Sequence, residues 1–309
     1  MISSAVMDTL KQWVGEENIH PNEPMAAHTT FRVGGPADCL IEVENEQQLS
    51  KLKRYLGIVG IPFIVMGNGS NLLVSDRGYR GIVLQIGKKM NAVRVEGGTI
   101  TAQGGAQLSQ VSKAALENGL TGFEFASGIP GTIGGGVVMN AGAYGGEMSQ
   151  VVTAVTVVDA DGEVLVLDRD SMEFGYRSSV IRHQPFTVVE VTLQLTSGDP
   201  AAIRACMDDL AVKRRSKQPL EYPSAGSTFK RPEGYYAGEL IMNAGMRGFR
   251  IGGACVSEKH CGFVINTGNA SAQDIMEVIR EVQERVSNCF HVWLEPEVVF
   301  LGDFESAAE

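Results

Sequence analysis

The sequence predicts an α+β protein made of two αβ lobes followed by a C-terminal αβ lobe. Three observations lead there: strand and helix periodicities alternate from residue 37 onward, glycine-dense loops punctuate them, and a strongly amphipathic helix pattern lies near the C-terminus. The chain has 309 residues, 44% of them hydrophobic, enough to fill the cores of two or three domains.

Ala37–Val43 reads as a strand, Glu46–Leu56 as a helix with Leu49, Leu52 and Leu56 on one face, and Pro62–Met66 as a second strand. Short strands are expected at Ile82–Ile86, Ala92–Val95 and Thr99–Gln103. A helix follows at Leu108–Asn118, with Leu108, Val111, Ala115 and Leu116 facing inward. Val151–Val158 and Glu163–Leu167 alternate about Asp161-Gly162, a hairpin signal, and Thr187–Leu195 alternates again. A helix over 201–213 carries Ile203, Met207 and Leu210 and ends in the basic run Lys213–Lys217. Beyond Pro219 the pattern places a strand at Cys261–Asn266, a helix at Ala272–Asn288 opened by Ser271 and Asp274 in capping-box spacing, and a closing strand at Val298–Leu301. The expected lobes are 1–96, 97–218 and 219–309, with the terminal strand free to return to the first.

With 36 acidic and 26 basic residues the net charge is -10, which argues against a general nucleic-acid binder. Residues 1–13 lack a basic leader and carry Asp8 inside their apolar stretch. No apolar run approaches the ~20 residues of a membrane span. A cytoplasmic monomer without membrane insertion is expected. Five cysteines and five histidines are scattered without metal-ligand spacing, so no metal is expected.

Three glycine runs stand out: Gly67-Asn68-Gly69-Ser70-Asn71, 127–136, and 140–146. Glycine permits positive φ and close backbone approach, so successive N–H groups can converge on an anion, as a diphosphate requires. Each run alone reads first as a tight turn; the three together shift the balance toward a phosphorylated cofactor. Neither G-x-G-x-x-G between a strand and a helix nor G-x-x-x-x-G-K-[ST] occurs, so a cofactor would be held by something other than a Rossmann unit or P-loop. Cofactor contacts are expected from Gly67, Asn68, Gly69, Ser70 and Asn71, from Ser127, Gly128, Ile129, Gly131, Thr132, Gly134 and Gly135, and from Asn140 and Gly142.

Three further places carry reactive side chains in loops. In Tyr176-Arg177-Ser178-Ser179, Arg177 could grip a carboxylate bidentately; the alternative is a surface arginine in a solvated turn. In 224–232, Ser227 lacks the G-x-S-x-G elbow of a nucleophile and suits proton donation, with Lys230 or Lys217 stabilising the alkoxide, or else a plain turn. In Trp293-Leu294-Glu295-Pro296-Glu297, either carboxylate could sit in a cleft, or both could be solvated. The run Lys213–Lys217 reads as a helix C-terminus favoured by the macrodipole, or as a diphosphate clamp.

Taken in order, Thr29–Ala37, Gly67–Leu73, Ser127–Gly135, Asn140–Gly145, Tyr176–Ser179, Gly226–Lys230 and Leu294–Glu297 resemble the motif series of the UDP-N-acetylenolpyruvoylglucosamine reductase family, from about residue 28 to 301. The resemblance implies a vanillyl-alcohol-oxidase-type (PCMH-like) FAD-binding fold, with FAD and NADPH as cofactors and a sugar nucleotide as substrate in peptidoglycan precursor synthesis. It implies that Arg177 and Glu297 stabilise the charge spreading into the substrate carboxylate as hydride arrives from the flavin. It implies that Ser227 protonates the adjacent carbon. Tyr176, Arg214, Lys217, Gly226 and Lys230 are implied substrate contacts, with Arg215 an alternative to Arg214. The short passage from Tyr176 to Thr187 leaves little room for the tyrosine-bearing segment of one subtype, and Arg231 stands where that subtype has asparagine, so the chain resembles the shorter subtype. A related FAD oxidase acting on a sugar or lactone, and a flavin-free sugar-nucleotide binding module, are the competing readings.

Overall fold

The computed structural model describes residues 2–304, which fall into two compact units. Unit 1 comprises Met1–Pro21, Cys39–Asn68 and Gly81–Lys213; unit 2 comprises Asn22–Asp38, Gly69–Arg80 and Arg214–Glu309. The division differs from three successive lobes. Both expected FAD lobes contribute to unit 1, and two N-terminal segments cluster with the last third of the chain.

Unit 1 opens with α1 (Ser4–Val14), capped by the Ser3 side chain. A four-stranded sheet follows, in the order Ile19–Pro24, Pro36–Glu42, Tyr79–Gln85, Phe63–Met66. Between its second and last strands the chain forms α2 (Glu46–Val59), where Asn45 accepts the Gln48 N–H and left-handed Gly60 ends the helix. Leu49, Leu52 and Leu56 are fully buried, as their spacing predicts. A second, antiparallel sheet has the order Val164–Asp168, Val152–Val158, Thr187–Gln194, Thr99–Gln103, Val93–Glu96. The hairpin about Asp161-Gly162 pairs Val158 with Val164.

Against that sheet packs α3 (Leu108–Glu117), burying Leu108, Val111, Ala115 and Leu116, the four residues expected to face inward. Each large apolar side chain so buried contributes about 1.5–3 kcal/mol. The short α4 (Ile133–Val138) lies inside the second glycine run and has no signal in the sequence, because glycine disfavours helix interiors. Its glycines have a packing reason: a Cβ on Gly134 would lie 2.8 Å from the Gly104 carbonyl oxygen. Finally α5 (Pro200–Lys217) buries Ile203 and Leu210 and continues past Lys213 to the end of the basic run.

Unit 2 centres on α6 (Ala237–Asn243), a three-stranded sheet of Arg250–Ile251, Ala254–Val256 and Val264–Asn266, and α7 (Ala272–Phe290). The capping box of Ser271 and Asp274 forms at the start of α7, and Ile275, Val278, Ile279, Val282 and Val286 enter the core. Phe31, Val33 and Leu73 belong to the same core. The terminal strand Val299–Leu301 pairs in parallel with Leu72–Val74. No described helix is long and apolar enough to cross a membrane.

Candidate active site

In unit 1 the start of the first glycine run meets the second. Gly67 leaves the strand Phe63–Met66, and a Cβ on it would stand 2.4 Å from Thr132 Oγ1. Thr132 is buried, and its hydroxyl accepts the Gly135 N–H at 3.3 Å. The second run is pinned on its other side: Leu108 N–H donates to Gly131 O, Ile133 N–H to Ala106 O and Gly134 N–H to Gly104 O. Gly131 takes φ 126°, which side chains rarely adopt. Ser127 and Ile129 donate to Glu124 O and Ala126 O. Among the described residues, the N–H groups of Gly128, Gly131 and Thr132 have no protein acceptor, and neither do those of Gly67 and Asn68. Donors left to a ligand in glycine-rich loops suit the oxygens of a diphosphate. The residues present therefore fit the phosphate-bearing portion of FAD.

The third run has a different explanation. Gly142–Ala143 and Gly146–Glu147 pair as a hairpin whose two turn residues, Tyr144 and Gly145, take φ 53° and 88°, the signature of a type I′ turn. Gly146 is pressed on Phe125, whose ring lies 2.5 Å from where a Cβ would be. The two residues expected at the cofactor have protein partners: Asn140 Nδ2 donates to Gly175 O, its Oδ1 accepts the Ser149 N–H, and Gly142 O accepts from Arg177 Nη2.

Tyr176 and Arg177 form the tip of a two-residue turn closed by paired Gly175–Ser178 hydrogen bonds of 3.0 and 3.2 Å. Arg177 takes φ 53°, and its guanidinium lies 5.1 Å from the centre of the exposed Tyr176 ring. Arg182 donates to the Arg177 carbonyl at 3.0 Å and His183 bonds the Ser178 hydroxyl at 3.2 Å. Neither residue has a sequence signal, since their role is to brace a turn. Left-handed non-glycine residues cost free energy and gather where geometry matters; Asn140, Tyr144, Glu173 and Arg177 lie in one stretch of this unit.

In unit 2 the segment 227–230 is zipped to 295–297. Glu297 N–H donates to Thr228 O at 2.8 Å, Lys230 N–H donates to Glu295 O at 2.9 Å, and Phe229 bridges Pro296. Thr228 is fully buried, with its N–H on Gly262 O and its hydroxyl accepting from Val264 N–H, and Phe229 enters the core. The frame leaves Ser227 exposed next to a rigid neighbour, after Gly226 at φ 76°. The two carboxylates separate in role. Glu295 is exposed and ion-paired with Lys230 at 2.5 Å, whereas Glu297 is half-buried and its carbonyl accepts from Asn71 Nδ2 at 2.9 Å. Asn71 thus holds the acidic segment; Gly69 O accepts from Leu72 N–H, and Ser70 O accepts from the Thr30 hydroxyl.

The basic residues of α5 also part company. Arg214 is buried, whereas Arg215 and Lys217 are exposed. Lys217 lies near enough to His260 to repel its protonated form. Burial above all holds His260 below the usual histidine range, opposed by a backbone hydrogen bond and helped by the Lys217 charge. Its Nδ1 accepts the Gly262 N–H at 3.1 Å, which places the proton of the neutral ring on Nε2. Sequence spacing does not point to His260, because its partners are set by the fold.

Residues 37–168 match the FAD binding domain family, and residues 218–301 match the family of the C-terminal domain of UDP-N-acetylenolpyruvoylglucosamine reductase. The chain is 51% identical over 293 residues to UDP-N-acetylenolpyruvoylglucosamine reductase of Clostridium perfringens, covering 95% of this chain and 96% of that protein. It is 48% identical over 302 residues to the reductase of Caldanaerobacter subterraneus subsp. tengcongensis, covering 98% of this chain and all of the relative. The crystal structure of the Thermus caldophilus reductase superposes with a TM-score of 0.79 at 35% identity, covering 90% of this chain and 97% of that one. A Phl p 4 variant, a glucose oxidase, reaches a TM-score of 0.50 at 17% identity over 63% of this chain and 44% of that one, a likeness of fold alone. Identity of this extent over nearly the whole chain, with an FAD-binding half and a reductase C-terminal domain in register, makes the chain a member of the UDP-N-acetylenolpyruvoylglucosamine reductase family.

Proposed function

We propose that the protein is an NADPH-dependent FAD enzyme that reduces the enolpyruvyl group of UDP-N-acetylenolpyruvoylglucosamine to a lactyl ether, a step of peptidoglycan precursor synthesis. The observation that carries this reading is the pairing of Gly67 with Thr132 beside N–H groups that have no protein acceptor, within the residues that match an FAD-binding domain. Gly67, Asn68, Gly69, Ser70 and Asn71, with Ser127, Gly128, Ile129, Gly131, Thr132, Gly134 and Gly135, hold the FAD diphosphate. Bound FAD, reduced by NADPH, supplies hydride to the terminal carbon of the substrate double bond.

The chain's own residues do the rest. The double bond is conjugated to a carboxylate, so negative charge grows there as hydride adds, and fixed charges lower the barrier most when aimed at that position. Arg177 meets this charge, its guanidinium stationed by Gly142 O and the Tyr176 ring. Glu297 shares in stabilising the enol-type form. Ser227 gives its hydroxyl proton to the carbon next to the carboxylate. Lys230, held by Glu295, and Lys217 offer positive charge to the resulting alkoxide or to substrate phosphates. Gly226 allows close approach, and Tyr176 and Arg214 complete the substrate contacts. The reaction is expected in the cytoplasm, by a monomer.

The test is an absorption spectrum of purified protein before and after NADPH. A flavin band that bleaches with NADPH and returns on adding the enolpyruvyl substrate is expected. Colourless protein that takes up no FAD refutes the reading.

A further inference from the structure

The turn that carries Arg177 is anchored at its base by the Asn140 side chain. Asn140 is buried and follows α4 with φ 41°. Its Nδ2 donates to Gly175 O at 3.0 Å, and its Oδ1 accepts from Ser149 N–H at 2.9 Å. Because one neighbour is a carbonyl and the other an N–H, the amide has a single satisfactory orientation. Gly175 is the residue whose N–H and carbonyl close the Tyr176–Arg177 turn on Ser178, so Asn140 bonds the base of that turn. Two residues beyond Asn140, the Gly142 carbonyl receives the Arg177 guanidinium at 3.2 Å. One short strap, 140–142, therefore holds Arg177 at both ends, by its turn and by its head group. Ser179, just past the turn, is tied by its hydroxyl to Val138 O at 2.9 Å on the same stretch.

We propose that Asn140 is a positioning residue for Arg177, setting where the guanidinium stands for the substrate carboxylate. The proposal rests on the reading of Arg177 given above. A side-chain amide satisfied by two backbone groups is rigid, and removing the donor leaves the Gly175 carbonyl facing an acceptor. Arg177 would lose its fixed base while keeping its charge.

Asn140→Asp tests this at a pH where the carboxylate is ionised, since it preserves size, tolerance of the left-handed region and the acceptor for Ser149, and exchanges the donor to Gly175 for a negatively charged acceptor. Stopped-flow kinetics on the FAD-loaded enzyme separates the two half-reactions. Reoxidation of reduced flavin by the enolpyruvyl substrate is expected to slow about 10- to 100-fold, in kcat rather than KM, because misplaced groups lose transition-state contacts first. Flavin content, the flavin spectrum and reduction by NADPH should stay as in the parent. In an Arg177→Ala background, adding Asn140→Asp should change little, whereas independent roles would multiply. Asn140→Gly, which relieves the positive φ, serves if the aspartate variant does not fold.

A changed flavin spectrum or lost flavin in the Asn140 variants would make Asn140 a cofactor contact and overturn the proposal. So would full multiplication of the two effects, or an unaltered substrate half-reaction while Arg177→Ala abolishes it. If Arg177→Ala itself leaves substrate reduction intact, the role of Arg177 fails instead, and the two failures are told apart.

Discussion

Gly67 and Thr132 approach so closely that no side chain fits between them: a Cβ on Gly67 would lie 2.4 Å from the threonine hydroxyl oxygen and 3.0 Å from its methyl carbon. Thr132 cannot yield cheaply, because it is buried and caps α4. Two loops distant in sequence are thus locked side by side, and their free N–H groups share one neighbourhood in unit 1.

Gly67→Ala should accordingly spread the loops and lower FAD retention several-fold on the scale of ligand-linked stability, read as the flavin-to-protein absorbance ratio after gel filtration. Gly57→Ala is the control, since it lies in α2 with open space around it and should stabilise the fold by about 0.5–1 kcal/mol. Unchanged flavin content in the Gly67 variant would remove this contact from the cofactor's support.

Ser227→Ala removes the only hydroxyl of that residue while leaving Thr228 and its core hydrogen bonds in place. Flavin reduction by NADPH should be unaffected, and substrate reduction should fall by about 10²–10⁴, the usual worth of a positioned acid. Parallel loss of both half-reactions would sink the assignment of Ser227 as proton donor.

The Asp76 carboxylate accepts the first two N–H groups of α7, from Ala272 and Gln273, each at 2.9 Å. It adds to the capping box and places negative charge at the positive end of the helix. Asp76→Ala should cost about 0.5–2 kcal/mol in urea unfolding. A change within error would mean that the capping box alone suffices.

Lys53 is buried, and its ammonium donates to Val158 O at 2.8 Å, Pro185 O at 2.8 Å and the Thr187 hydroxyl at 3.0 Å. Burial lowers its pKa from 10.5 to about 8, opposed by the charge of Asp159. Between those values the unfolded chain holds a proton that the folded chain has released, so stability rises with pH from about 8 to 10.5. The full effect is about 3 kcal/mol. Urea unfolding at several pH values should show this rise in the parent and a shallower one in Lys53→Met; equal slopes would mean that the buried amine keeps its proton.

The helices were legible because their information is local. Leu49, Leu52 and Leu56 in α2 and the five apolar positions of α7 follow a 3.6-residue period, and Ser271 with Asp274 marks a start. The helix α4 was illegible for the converse reason: its three glycines oppose helix formation, and it exists because Gly104 and Leu108 press on it. Of the candidate residues, Ser227 and Glu297 stood out as reactive types in loops. Their common frame, Thr228 bonded to Glu297 and Asn71 to the Glu297 carbonyl, joins segments far apart in the chain and leaves no periodicity to read.

By itself the sequence determined the alternation of elements, the glycine runs and the ordered motif series that place the chain in its family. Only the tertiary structure decided that Gly67 meets Thr132 while Gly142 and Gly146 pair in a hairpin, and that Asn140 and Asn71 brace Gly175 and Glu297. It also decided that residues 22–38 and 69–80 cluster with the C-terminal third. The reason is physical: periodicity and capping are properties of neighbours along the chain, whereas a hydrogen bond or a close backbone approach belongs to residues that only the packed fold brings together.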